Sequence, residues 1–220
     1  MFLNSRELKP NGLKLFVFIA SLIPLGWYAW GIQTDNLGAN PIEVVTRGLG
    51  TWTLNFLLIT LAATPLRHYT GWTWPLIIRR MLGLFAFFYA GLHLTTYLWF
   101  DQFFDWLAIG KDIFKRPFIT AGMATFLLLI PLAVTSNARA IRKLGGRRWQ
   151  QLHRMVYLCG VLAVLHYTWM VKADISNPLI YWAILAVLLS ARGLWRIQKI
   201  QCQRLKNSTH RTKAARCEKY

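Results

Sequence analysis

The sequence predicts an all-α integral membrane protein of six transmembrane helices with both chain ends on the cytoplasmic side. Three observations predict it. Hydrophobic residues make up 55% of the 220 and charged residues only 15%, with a positive mean hydropathy, a balance outside the range of soluble domains. The apolar residues gather in six runs near or above the ~20 residues that cross ~30 Å of hydrocarbon at ~1.5 Å per residue. These lie at about Leu13–Ile32, Leu49–Leu66, Met81–Phe100, Phe118–Thr135, Leu152–Val171 and Pro178–Trp195. Finally, the net charge of +18 is not spread evenly. Twenty-one of the 26 Lys and Arg residues fall in alternate connecting segments and the two ends, while six of the eight acids fall in the others. The positive-inside rule then gives an N-in, C-in topology. A basic inner face of this kind meets anionic lipid rather than nucleic acid.

The organisation read from this is a cytoplasmic N-terminus at 1–12, a membrane domain at 13–195 and a basic cytoplasmic tail at 196–220. The first span ends in Trp27-Tyr28-Ala29-Trp30, aromatic residues suited to the outer interface, and Pro24 predicts a kink. It lacks a small-x-small cleavage pattern and reads as a retained helix. The outer loop from Gln33 to Gly48 contains Asn40-Pro41 and a short surface segment. The second span carries one amide, Asn55, and is followed by an inner loop with Arg67, His68, Trp72, Trp74, Arg79 and Arg80. That loop reads as an interfacial anchor or as a site at the inner surface that receives an electron donor or cradles an anionic cofactor group.

The third span carries His93 and the fourth is packing material bent at Pro131. A basic inner loop broken at Gly145-Gly146 leads to the fifth span, which carries His153 and His166. The sixth span has Arg192, expected to snorkel to the inner face. The tail beyond Lys199 shows no apolar periodicity and predicts little fixed structure. Cys159 lies in the fifth span, and Cys202 and Cys217 lie in the tail. No disulfide framework is expected, and the absence of CxxCH argues against covalently attached haem.

Histidine within hydrocarbon is rare and marks a functional site. His93 lies 12 residues beyond the inner start of its span and His166 lies 13 beyond His153. Both are therefore roughly 18–20 Å from the cytoplasmic edge. Small residues stand at i−3 and i−7 beneath each: Ala90 and Ala86 below His93, with Gly83 beyond, and Ala163 and Cys159 below His166. Such a trough either lets helices approach closely or makes room for a flat ligand. Two neutral imidazoles level with each other on facing helices can ligate one iron from opposite sides, the arrangement of a b-type haem.

Zinc fits less well, since no span contains a carboxylate. A proton relay would need an acid near the midplane. His153 would point ~140° away from His166 on an ideal helix and lie ~20 Å below it, so it serves a second site or none. A second redox cofactor, a quinone and an interfacial structural role all stay open for it. His68 is the candidate partner for such a site, with Gly160 leaving space on the same face.

The stretches RRMLGLFAFFYAGLHLTTY at Arg79–Tyr97, RRWQQLHRMVYL at Arg147–Leu158, LHYTWMVKADISNPLIYWAILAVLLSAR at Leu165–Arg192 and LGANPIEVV in the first outer loop resemble a known family. It is that of the haem-binding membrane subunits of the bacterial periplasmic protein-methionine-sulfoxide reductase system. The likeness covers nearly the whole chain to about Trp195. Those subunits belong to the wider ferric-reductase-like transmembrane family, whose six-helix core carries haem between the third and fifth helices.

The resemblance implies that His93, His153 and His166 match the family's haem-associated histidines. It also implies an inner-membrane location and electrons drawn from the quinone pool, with FMN and a cytosolic flavin reductase as further partners. The implied acceptor is a soluble periplasmic molybdenum enzyme that reduces methionine sulfoxide. Ferric reductases and NADPH oxidases pair histidines at both levels, whereas Arg79 and Arg80 stand at the inner level here. No FAD or NADPH domain is expected, so a self-contained ferric reductase is disfavoured.

The expected function is electron transfer without bond-breaking chemistry of its own. The rivals are a ferric or cupric reductase component and a haem-free transporter or assembly factor.

Overall fold

The computed structural model describes residues 10–171 and 175–208, with the helix alone described over 203–208. Most of the 1–12 segment and the tail after 208 lie outside the described residues, as do Arg6, Lys9, Lys172, Asp174 and Cys217.

Among the described residues nine α-helices follow one another: α1 Pro10–Gln33, α2 Pro41–Thr70, α3 Trp74–Thr96, α4 Trp106–Lys115, α5 Pro117–Val134, α6 Ala138–Leu144, α7 Gly146–His153, α8 Val156–Met170 and α9 Ser176–Ser208. A π-helical turn, Tyr97–Asp101, extends α3. No strand occurs among the described residues. Among the described residues five helical segments are long and apolar enough to cross a membrane: Asn11–Gln33, Pro41–Thr70, Trp74–Asp101, Pro117–Val134 and Ser176–Cys202.

The helix ends follow from local chemistry. Asn40 caps α2, its side chain accepting the Glu43 N–H at 3.3 Å, with Pro41 in the first turn. The segment expected to lie along the outer surface is thus the first two turns of α2. Gly71, at φ 73°, ends the helix by donating its N–H to the Arg67 carbonyl. Asp105 caps α4 through bonds from the Leu107 and Ala108 N–H groups, both 3.0 Å. This short helix lies in the stretch read as an outer loop. The basic stretch read as an inner loop holds α6 and α7, separated at Gly145 with φ 76°.

The fifth predicted span departs most from expectation. Instead of one helix over Leu152–Val171, α7 ends at His153 and α8 begins at Val156. At the join the backbone tightens to i→i+3 bonds, from Met155 to the Leu152 carbonyl and from Tyr157 to that of Arg154. The physical cause lies in α7, which is tied to the end of α5. The Trp149 indole donates to the Thr135 carbonyl at 2.9 Å, and His153 Nε2 lies 3.0 Å from Thr135 Oγ1. At 15 residues α8 is ~22 Å long, short of a full hydrocarbon crossing by itself.

Packing is organised as two helix pairs, α2 along α3 and α5 along α8, with α9 laid against α2 and α8. Leu57, Leu61, Phe85, Tyr89, Val164 and Leu185 are among the buried side chains between them. Tyr89, 0% exposed, donates its hydroxyl to the Ser21 carbonyl at 2.8 Å and so fastens α1 to α3. Phe16, Ile19, Ile23 and Trp30 on α1 remain exposed, the surface expected of a helix facing lipid.

Two further expectations are corrected at α9. The helix runs on to Ser208, because no Gly or Pro follows Gly193 to interrupt a series of good helix formers. Arg192 does not snorkel. It is 8% exposed, donating to the Leu61 carbonyl and the Tyr157 hydroxyl, with its guanidinium 5.1 Å from the Tyr157 ring centre. Those partners make burial tolerable for a cation that would otherwise seek water. Cys159 is free and buried.

Candidate cofactor-binding site

His93 and His166 come from different helix pairs and meet across a cavity of about 560 Å³. Their ring centres are 6.2 Å apart. Among the described residues α3 and α8 do not pack closely on each other; α5 contacts α3, and α2 contacts α8, so the space between the histidines stays open. Ala90 and Ala163 line it, as a trough for a flat ligand requires. Ala86 and Cys159, both 0% exposed, belong instead to the packed core.

Each imidazole is seated on one turn of the neighbouring helix, and the two seats are alike. His93 Nδ1 lies 2.8 Å from the Thr46 carbonyl of α2, and a Cβ added at Gly50, four residues on, would come 3.1 Å from its Cε1. His166 Nδ1 lies 2.6 Å from the Phe118 carbonyl of α5. A Cβ added at Gly122, again four residues on, would come 2.9 Å from its Nδ1 and Cε1. A carbonyl oxygen can only accept, so each Nδ1 carries the proton and the neutral ring keeps its lone pair on Nε2. That is the tautomer and orientation of a metal-ligating histidine. Sequence reasoning missed Gly50 and Gly122; their spacing from Thr46 and Phe118 carries no signal until the partner histidine is known.

Two neutral imidazoles with ring centres 6.2 Å apart and planes crossing at 73°, each with its Nε2 lone pair free, would fit a haem group held between them through its iron. Leu54, Leu94, Ile119, Met123, Phe126 and Met170 supply apolar walls, as a porphyrin face demands. No group of three or more His, Cys, Asp or Glu is placed to hold a bare metal ion among the described residues.

His153 stands apart. It lines a second cavity of about 240 Å³ with Arg79, Arg80, Gly83, Trp149 and Asn137. Its ring stacks on Trp149 at 4.0 Å between centres. His68 does not join it, lying instead beside Tyr69 and Trp195. Gly160 opens no space either, since a Cβ there would come 3.3 Å from Leu185 and Leu61. Leu129 borders both cavities. Phe87 of the second and Phe126 of the first stack at 5.6 Å, 15° from parallel.

Fold and site together define a multi-pass membrane protein with a paired-histidine cavity between its helices. The sequence profile of the family described as "Ferric reductase like transmembrane component" matches residues 48–164, taking in Gly50, His93, Gly122 and His153.

Among its relatives, the chain is 56% identical over 189 residues to the protein-methionine-sulfoxide reductase heme-binding subunit MsrQ of Herminiimonas arsenicoxydans, covering 85% of this chain and 87% of that protein. It is 59% identical over 179 residues to the protein of the same description from Rhodospirillum rubrum, covering 81% and 86%. For that of Azospira oryzae the figures are 55% over 189 residues, covering 86% and 81%. The chain belongs to the ferric-reductase-like transmembrane family and, within it, to the MsrQ group.

Proposed function

We propose that this protein is the haem-carrying electron-transfer subunit of a bacterial methionine-sulfoxide reductase system. In this reading His93 and His166 are the axial ligands of a b-type haem. The observation that carries it is the 6.2 Å separation of two imidazoles whose Nδ1 atoms are each held by a backbone carbonyl. The relatives' description as heme-binding subunits supports it. Haem, when bound, supplies a one-electron couple.

The chain's own residues do the rest. Thr46 and Phe118 orient the rings and raise their basicity as ligands. The apolar walls exclude water. The glycine seats let the imidazoles stand close to α2 and α5.

Six membrane crossings complete the reading, α8 with its α7 extension being the fifth, in an inner membrane with both ends cytoplasmic. Electrons come from the quinone pool on the inner side, with FMN and a cytosolic flavin reductase as further donors. They leave for a periplasmic molybdenum-containing reductase that repairs oxidised methionine. His153, with Arg79 and Arg80 around its cavity, serves a second redox site on the input side.

A reduced-minus-oxidised spectrum of the purified protein tests the central claim. It should show b-type α and Soret bands that are lost in His93→Ala and in His166→Ala. Bands unchanged in both variants would overturn the ligand assignment, and their absence from the wild type would overturn the haem reading.

A further inference from the structure

We propose that the C-terminal half of α9 carries a binding site for the phosphate group of an anionic phospholipid, formed by Arg192, Trp195 and Arg196 against Tyr157 of α8 and the end of α2.

A cation buried in a helix bundle calls for a counter-charge, and Arg192 has none. It is 8% exposed and donates to the Tyr157 hydroxyl and the Leu61 carbonyl, both neutral oxygens. Two more guanidiniums stand close by. Arg196 lies over the same Tyr157 ring, 5.7 Å from its centre against 5.1 Å for Arg192. Arg79 of α3, which donates to the Thr64 hydroxyl at 3.2 Å, interacts electrostatically with Arg192. The acids among the described residues, Asp35, Glu43, Asp101, Asp105 and Asp112, all lie before or at the start of α2 or between α3 and α5. Along α2 alone, the 18 residues from Glu43 to Leu61 put roughly 27 Å between that end and this one. Like charges gathered away from water repel one another, and an anion among them removes the repulsion.

A second observation points to the same place. Arg192 Nε and Trp195 Nε1 are buried and make no hydrogen bond among the described residues. They stand three residues apart and so share one face of α9. Buried donors without a partner are few in folded proteins and call for an acceptor. A phosphate supplies oxygens for both the guanidinium and the indole, with the charge that the cluster lacks. The side chains over the two rings are long and exposed: Arg196 above Tyr157, and Lys199 with its Nζ 5.7 Å from the centre of the Trp195 ring. They can swing aside to admit a headgroup and then close on it.

The surroundings select a lipid over a free phosphate. Arg192 to Lys199 occupy the last third of a segment long and apolar enough to cross a membrane, the depth at which headgroups meet hydrocarbon. Beside Arg196 the helix presents exposed Ile197 and Ile200. Acyl chains cover such a surface, whereas an inorganic ion leaves it bare.

The test uses the full-length protein in detergent with excess phosphatidylcholine, titrated with phosphatidylglycerol of the same acyl chains, bound lipid being counted by native mass spectrometry. Wild type should retain phosphatidylglycerol about tenfold in preference to phosphatidylcholine. Arg196→Gln and Trp195→Phe should each reduce that preference about fivefold, as for ~1 kcal/mol of one charge-assisted contact. Arg142→Gln, an exposed cation of α6, is the control and should leave it unchanged. The thermal midpoint of lipid-free Trp195→Phe should not fall, because the indole N–H it removes is unpaired; this separates lost binding from lost folding. Absence of preference in wild type, an equal loss in Arg142→Gln, or a preference intact in Arg196→Gln and Trp195→Phe overturns the site. Displacement of phosphatidylglycerol by inorganic phosphate at millimolar levels overturns the lipid as its ligand.

Discussion

Replacing Gly122 by alanine tests the seat beneath His166 without touching a ligand. The added Cβ would lie 2.9 Å from both Nδ1 and Cε1 of the ring, whereas carbon contacts are comfortable from ~3.5 Å. The ring must therefore retreat by about 0.6 Å. It cannot do so freely, because its Nδ1 is bonded to the Phe118 carbonyl one turn earlier on the same helix. Metal–nitrogen distances tolerate about ±0.2 Å, so the displacement exceeds what an axial bond absorbs roughly threefold.

Gly50→Ala is the milder case. Its nearest contacts to His93, 3.1 and 3.3 Å, ask for a shift of about 0.4 Å at most. Gly160→Ala is the control, since its Cβ would meet only the side-chain ends of Leu185 and Leu61. Haem content and the low-spin Soret band of the purified proteins should rank wild type and Gly160→Ala highest, Gly50→Ala below them and Gly122→Ala lowest. Thermal stability of the haem-free Gly122→Ala protein should not fall in step, because alanine in a helix interior is favoured over glycine by about 0.5–1 kcal/mol. A Gly122→Ala protein with full haem and an unaltered low-spin spectrum would refute the reasoning.

Other outcomes follow from single contacts. Arg192→Met removes the donor to the Leu61 carbonyl and leaves the Tyr157 hydroxyl without it; unfolding in detergent should show a loss of about 1–3 kcal/mol, and an unchanged midpoint would count against the buried role. Tyr89→Phe removes the 2.8 Å bond to Ser21 and should cost about 1 kcal/mol, with faster hydrogen exchange in α1 as the accompanying sign. His153→Ala should leave the spectrum of the His93–His166 site intact while slowing reduction by added quinol or reduced flavin about tenfold or more. Thr135→Val, which removes the 3.0 Å contact to His153 Nε2, should act in the same direction but less strongly, and stopped-flow reduction kinetics decide both.

Much of the architecture was legible in the chain because each signal is local. Apolar runs of spanning length act through neighbouring residues, and among the described residues five of the six coincide with helical segments long and apolar enough to cross a membrane. The equal depth of His93 and His166 was legible too, since depth along a helix is simple counting at a constant rise. The break between α7 and α8 was not. Nothing in Leu152-His153-Arg154-Met155 forbids a helix, and the tightening goes with the anchoring of Trp149 and His153 to Thr135, on another helix.

By itself, then, the sequence determined a helical membrane protein with two histidines at one level and a third at another. Tertiary structure alone decided how those imidazoles are held. The carbonyls that fix them lie 47 and 48 residues away, on other helices. Periodicity records which face of a helix is apolar, not which helix that face will meet. For the same reason Arg192 could be read as a snorkelling cation until Leu61 and Tyr157 appeared beside it, and Gly50 and Gly122 could pass as ordinary helical glycines until a ring lay against each.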